Sequence, residues 1–400
     1  MSQPVFMGLG KQAFRFYMLF QHHSRIDEDP TLERSWITGA VGTYIKEHSR
    51  SVYARLGKEV ALAGLDCRTE RKKNRIISPA SYNAIFQRLD AEIKAANGDI
   101  KHLYVMLGVP ILYPRMVWAE VIMESKMIAP VKYMAQKGIA LKGLVNEFDG
   151  SVELLDDLND HWCAMHHKRE RNWFMGELVK FAARHGVRVT ILSGDVHLCA
   201  ISRFKSKMHT HTVKTHEGAN KEVLTNAEHD PRLIFNVISS AMINAPPPDG
   251  MATLLNKRSK VHHFDKTTDE DVVEMFATEV TGGARTNKLF MNKRNYSDLI
   301  PVKNLQKLQG GLARYEHFQE GDLIYPGASD KLTKVDRENL DLKDASHVGY
   351  ALTEDSIVAS LHVEVDRKDT QSKTKDYEVL IPKIDGPQEL GVFPDGMKKK

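Results

Sequence analysis

The sequence predicts an α/β fold whose sheet is covered on both faces. Three observations predict it. Short, continuous apolar runs recur between residues 59 and 240, segments with helical periodicity alternate with them, and each run closes on small or polar residues. Continuous apolar strands belong to sheets buried on both sides, and polar chemistry then collects in the loops at the strand ends.

The first run, "EVALAGLDCRTER", leads into Asp66 and Arg68. "SYNAIFQRLDAEIKAANGD" follows, placing Ile85, Leu89, Ile93 and Ala96 on one helical face and ending at Gly98; this spacing predicts a helix. "LYVMLGVPI" reads as the next buried strand, closing at Gly108. "RERNWFMGELVKFAARHG" sets Phe174, Leu178 and Phe181 near one face and stops at Gly186, a residue suited to helix termination. "VTILSGDVHLCA" is then a strand that ends in Ser193-Gly194 and presents Asp195 and His197 on the loop beyond it. "RLIFNVISSAMIN" repeats the pattern and leads into Ser239, Ser240 and Asn244. Residues 205–230, rich in Lys, His and Thr, read as a long surface loop. From about residue 311 the chain turns to Gly-, Asp- and Lys-rich loops and then to "SIVASLHVEVDR" and "DYEVLIPKI", joined by "KDTQSKTK". These predict a β-hairpin with Leu361, Val363 and Val365 on one face, docking on the main sheet. The expected organisation is a main region, 1–310, and a loop-rich extension, 311–400.

Composition narrows the partners. The 400 residues are 42% hydrophobic, enough for a sizeable core, and 56 Lys and Arg against 52 Asp and Glu leave a net charge of only +4. Nothing in that balance calls for nucleic acid. Three scattered cysteines, Cys67, Cys163 and Cys199, give no disulfide framework or zinc knuckle and suit a reducing, cytoplasmic compartment. The N-terminus lacks a secretory pattern. The longest apolar window, "YVMLGVPILYPRMVWAEVIM", carries Pro110, Pro114, Arg115 and Glu120, which argues against a membrane span and leaves peripheral membrane contact open.

Two places concentrate chemistry. In the Gly194-Asp195-x-His197 turn, a carboxylate and an imidazole sit together as candidate donors to iron, manganese or zinc; read alone, such a pair is more often a hydrogen-bonded loop. The stretch "ELLDDLNDHWCAMHHKRERNW", residues 153–173, holds Asp156, Asp157, Asp160, His161, His166, His167, Arg169 and Arg171. It offers metal donors, a general acid or cations for phosphate, or else no more than a charged helix and its cap. The pairs His22-His23, His209-x-His211 and His262-His263 have no carboxylate or cysteine partners at ligand-like spacing and are read as structural or solvated.

Taken in order, "PVFMGLGKQAFRFYMLFQHH", "GLDCRTER", "IKHLYVMLGVPILYPR", "ELLDDLNDHW…HKRERNW", "VRVTILSGDVHLCA" and "FNVISSAMINAPPP" resemble the intracellular branch of the PhoD-like phosphatases, across residues 3–310. The resemblance implies a metallophosphatase-like sandwich of two sheets flanked by helices, divalent or trivalent metal ions, and hydrolysis of phosphate esters by metal-activated hydroxide. It implies Asp195 and His197 as metal-site residues, Arg68 of the Asp66-Cys67-Arg68 motif as a phosphate-facing contact, and Asp160 and Trp162 near the substrate entrance. The family's Gly-Asp and Asp-Asp-His-Asp motifs normally precede the matched segment, and neither stands there in these 400 residues. The expectation is therefore a fold incomplete at the N-terminus and an impaired enzyme, the alternative being a binding module that keeps the scaffold.

Overall fold

The computed structural model of the chain describes residues 3–28, 34–114, 161–206, 227–240, 242–247, 249–258, 262–305, 318–326, 330–335, 349–369 and 371–390. Its largest element is a nine-stranded mixed sheet. In chain order the strands are β1 (Trp36–Val41), β2 (His48–Arg55), β3 (Val60–Gly64), β4 (His102–Met106), β5 (Arg188–Ser193), β6 (Ala200–Ser206), β7 (Ile234–Ile238), β8 (His262–His263) and β9 (Thr268–Val272). They lie side by side as β1-β2-β3-β4-β5-β7-β6-β9-β8. The middle four, β3, β4, β5 and β7, are mutually parallel neighbours, and the flanking strands pair antiparallel.

The connections from β3 to β4 and from β4 to β5 carry helices because the chain must cross a face of the sheet to return in the same direction, whereas the path from β5 to β7 includes the antiparallel β6. Between β3 and β4 runs a helix, Pro79–Ala95, whose N-terminus is capped by Ser78: its hydroxyl accepts from the Ser81 N–H at 3.3 Å. Ile85, Leu89 and Ile93 are buried, as the spacing predicts, and the turn beyond it places Gly98 at φ +83°. Before β5 comes a second helix, Lys168–His185, burying Phe174, Leu178 and Phe181. It ends at Gly186 in the left-handed conformation, where an added Cβ would stand 2.3 Å from the Gly386 backbone. Only glycine meets both conditions. Numbered along the chain, these are α2 and α3, after α1 (Pro4–Gln21) and before α4 (Asp249–Arg258).

α2 and α3 pack on one face of the sheet, against Ala61, Ala63, Leu103, Val105, Val189 and Ile191. The opposite face meets a three-stranded antiparallel sheet of β10 (Asn295–Pro301), β13 (Ile357–Glu364) and β14 (Thr374–Ile381). Between these last strands and β10, β11 (Leu323–Ile324) pairs with β12 (Tyr350–Ala351). Leu361 and Val363 are fully buried with Phe235 and Val237 of β7, and Val365 packs on the same cluster. The described part is thus two sheets face to face with helices over one of them. Arg188 on β5 fastens the layers: its buried guanidinium donates to the carbonyls of Pro382 and Lys383 beyond β14 and of Ala227, Asp230 and Leu233 before β7. β10, which pairs with the hairpin along its whole length, has no counterpart in the sequence reading. Residues 207–226, most of the expected surface loop, lie outside the described residues.

α1 buries Phe14 and Met18 against Trp36 and leaves Val5, Leu9, Phe16 and Phe20 exposed on its far side. Spacings of 4, 7 and 4 put those four on one stripe. Among the described residues no helix is long and apolar enough to cross a membrane.

Candidate functional site

The four parallel strands all end at the same edge, and a cleft of about 770 Å³ opens there. Its floor is made by the residues that leave the strands: Leu65 and Asp66 after β3, Leu107 and Gly108 after β4, Gly194 after β5, and Ser239 and Ser240 after β7. α1 supplies Tyr17 and Gln21 with His22 just beyond, β2 supplies Arg50 and Val52, and β10 supplies Asn295, Tyr296 and Leu299. In open α/β sheets the crevice outside the carboxyl ends of the strands is where ligands bind, because the loops there carry polar groups on a rigid base. A second cleft, about 470 Å³, shares Tyr17, Leu65, Asp66 and Gly108 with the first and runs beneath α1, lined by Phe14, Ile45 and Arg68.

Asp66 organises the floor. One carboxylate oxygen accepts the N–H groups of Arg68 (3.0 Å) and Thr69 (2.9 Å), turning the chain out of β3; the other accepts the N–H of Arg50 (3.0 Å) across on β2. Much of its charge is therefore spent on the backbone. Asn295 plays the same part on the far wall, its carbonyl oxygen accepting from Ser239 Oγ (2.9 Å) and the Ser240 N–H (3.0 Å). His22 stands against Tyr17, Nε2 to hydroxyl 2.6 Å, and burial holds its pKa below the usual histidine value, with Asp66 pulling the other way and Arg50 adding to the lowering.

Arg50 is the one Lys or Arg among the described residues that line the main cleft. Its guanidinium lies 4.3 Å from the centre of the Trp36 ring and Nη2 donates to the Ile26 carbonyl at 3.3 Å, while Nε and Nη1 have no partner.

The loop after β5 stands beside this floor. Asp195 and His197 both take positive φ, +75° and +54°, a region that L-residues occupy under strain. The His197 N–H donates to Ser240 Oγ at 3.3 Å, and its Nε2 is 3.3 Å from Asn244 Nδ2. Asp195 is exposed and His197 half-buried. Against the expectation of a metal centre, no group of three or more His, Cys, Asp or Glu is arranged to hold an ion among the described residues. Two donors do not make the site of a zinc or calcium centre, which takes three or more protein ligands. The described residues alone do not fit the metal that the resemblance implies.

The other expected site residues are scattered. Arg68 is exposed on the second cleft, two residues from Asp66. Asp160 lies outside the described residues, as do Asp156 and Asp157. Trp162 is 1% exposed and stacked on Phe174 at 5.7 Å, in the core beneath α2 and α3. From the same stretch, Arg171 is buried in an ion pair with Glu270 and donates to the Ile111 carbonyl at 2.7 Å. Cys67, between Asp66 and Arg68, is buried, and desolvation pushes its thiol up to about 12, so it is no thiolate nucleophile at neutral pH. The residues the sequence reading passed over are Arg50, Asn295 and Tyr296, and His22, which it read as structural, lines the cleft as well. One signal was there: in "HSRSVYAR" the alternation puts a charged Arg50 on the same face as Val52.

A family described as PhoD related phosphatase matches residues 1–133 and 125–324. The chain is 46% identical over 397 residues to the uncharacterized protein YGR266W of Saccharomyces cerevisiae, a match covering 96% of this chain and 56% of that protein. The chain thus spans 56% of the length of that relative. Among solved structures, one described as the structure of PhoD matches with a TM-score of 0.36 and 8% identity, over 86% of this chain and 46% of that one.

Proposed function

The chain belongs to the PhoD-related phosphatase family, and on that premise we propose that it binds phosphate esters in the cleft at the carboxyl ends of β3, β4, β5 and β7 and takes part in their hydrolysis. The observation that carries this reading is the position of the cleft, which gathers the polar ends of four parallel strands at one edge. The cleft walls suggest what the ester carries: Val52, Leu65, Met106, Val237 and Leu299 are apolar and Tyr296 is aromatic, so an organic group that is itself apolar or aromatic is matched by them.

In this reading Ser239 and Ser240 line the cleft where the ester lies, Asn295, whose amide is engaged with Ser239, Ser240 and Lys293, holds them there, and Asp66 keeps the β2 and β3 ends in register beneath it. Arg68, on the adjoining cleft, is a contact for the outer end of the ligand. Asp195 and His197 are two donors on the loop that follows Gly194, beside the cleft. They belong to a metal centre only if further donors join them.

The test is hydrolysis of p-nitrophenyl phosphate and bis(p-nitrophenyl) phosphate by the purified chain, with manganese, iron, zinc or calcium added and after chelation, alongside elemental analysis. Turnover that falls in Asp195→Ala and His197→Ala, with metal lost from the same variants, supports the reading. Saturable binding of the esters with no turnover under any metal assigns the chain instead to the class of binding modules that keep a phosphatase scaffold. No binding at all removes the cleft from consideration.

A further inference from the structure

We propose that Arg50 anchors an anion subsite in the main cleft and takes the phosphoryl group of the ligand, an inference that rests on the phosphate-ester reading of the same cleft. The argument begins with the environment of the guanidinium. Arg50 is only 8% exposed, and no carboxylate is paired with it among the described residues. The carboxylates that act on it from a distance, Glu47 and Glu28, are engaged elsewhere, Glu47 with Lys11 at 3.6 Å and Glu28 with Ser24 Oγ at 2.6 Å. Asp66, the carboxylate of the cleft, touches the backbone N–H of Arg50 and shares its charge with two further N–H groups. Two of the three guanidinium nitrogens, Nε and Nη1, are left with no acceptor.

Such an arrangement is costly unless something compensates it. A cation drawn out of water without an anion loses hydration, and each buried donor without an acceptor adds to the penalty. The stack on Trp36 recovers part of it, since a guanidinium over an indole face is attracted by the ring quadrupole. Stacking also holds the planar fork in one orientation, which is how an arginine is prepared to meet two oxygens of one group. The neighbours fit an anion of that kind. Burial lowers the His22 pKa, so Arg50 is the permanent positive charge of the lining, and Ser239, Ser240 and Asn295 on the far wall are uncharged. Asp66 is the one carboxylate among the described residues of the lining and its oxygens are turned to three backbone N–H groups, so the guanidinium is the charge left to meet a ligand, which matches a phosphate monoester or diester better than a cationic ligand.

The experiment uses inorganic phosphate as probe, with the parent chain, Arg50→Lys and Arg50→Met. Binding is read by calorimetry and by the rise in the urea midpoint with phosphate concentration. The parent is expected to bind, Arg50→Met to bind about tenfold or more weakly, the loss of one charge-assisted contact, and Arg50→Lys to fall between them. In phosphate-free buffer Arg50→Met is expected to be no less resistant to urea than the parent, because an uncompensated buried charge has been removed. An arginine that served only the fold would instead lower the midpoint and leave phosphate binding within twofold of the parent, which overturns the proposal. Ester turnover is measured on the same samples: turnover with a KM indifferent to Arg50→Met overturns the anchor and leaves the phosphate-ester reading standing. Arg50-dependent phosphate binding with no turnover does the reverse, keeping the anchor and removing hydrolysis.

Discussion

Replacing Asp66 by alanine removes three backbone hydrogen bonds at once, to the N–H groups of Arg50, Arg68 and Thr69, at 3.0, 3.0 and 2.9 Å. Hydrogen bonds to a charged acceptor contribute about 1.5–3 kcal/mol each when well buried, and nearer 1 kcal/mol where water can substitute. Asp66 is half-buried at the edge of two clefts, so the lower figure applies, and the sum is about 3 kcal/mol of stability. Asp66→Asn separates the two oxygens. The amide keeps one acceptor for the turn through Arg68 and Thr69 but faces the Arg50 N–H with a donor of its own, which predicts a loss of about 1–2 kcal/mol. Urea denaturation followed by circular dichroism reads both values, with the slope checked for constancy. The cleft gives a second readout, since β2 and Arg50 are held to β3 through this carboxylate: phosphate affinity should fall along with stability. Equal losses for Asn and Ala, or a loss below about 0.5 kcal/mol for Ala, would show that the floor does not hang on this carboxylate.

Trp162→Ala is expected to lower stability by about 3–5 kcal/mol, the range for emptying a large aromatic site, while leaving phosphate binding by the folded fraction unchanged; a selective loss of ligand affinity would return Trp162 to the entrance. His362 on β13 bonds Asp298 of β10 through Nε2 (2.9 Å) and Asp376 of β14 through Nδ1 (2.7 Å), and only the imidazolium can donate from both nitrogens. The hydrogen bond to Asp298, and behind it that to Asp376, raise its pKa against the opposing effect of burial. Its contribution is therefore fully present below the unfolded value near 6.5 and is lost as pH rises through the higher folded value. The gap in urea midpoint between the parent and His362→Gln should narrow as pH climbs above about 6.5, and a gap that widens instead would contradict the assignment.

What the sequence disclosed and what it withheld divide by the range of the interactions. The helix through Ile85, Leu89 and Ile93 and the strand before Asp195 are local patterns, three or four residues apart, and they stand where the periodicity places them. The family likewise rests on ordered local motifs. β10 is not legible because "NYSDLIP" has mixed polarity; it becomes a strand only by pairing with β13, which lies some sixty residues further on and binds it from Asn295 to Pro301. The cleft is withheld for the same reason. Arg50 and Asp66 are brought together by the β2–β3 pairing, and Asn295 reaches Ser239 and Ser240 from another sheet. Trp162 shows the converse limit: an acidic-aromatic motif marks a place in the sequence, whereas burial depends on which way the side chain turns, here onto Phe174.

The turn after β5 presents the sharpest choice between a structural and a functional loop, and strain makes the choice measurable. Asp195 and His197 each sit in the left-handed region, where a residue with a Cβ is disfavoured by about 1–2 kcal/mol and glycine is not. If their side chains serve the fold, the bonds they make must outweigh that strain. The bonds visible are few: the His197 N–H to Ser240 belongs to the backbone, and the side chain has the contact with Asn244 at 3.3 Å. Asp195→Gly and His197→Gly are thus expected to leave stability unchanged within about 0.5 kcal/mol or to raise it, relief of strain offsetting the entropy of an added glycine. Losses above about 1 kcal/mol would make the pair an ordinary hydrogen-bonded loop. Stability unchanged in both variants would mean that the strain serves something other than the fold, and Gly194 and Ser240, which line the cleft, are the neighbours through which it would act.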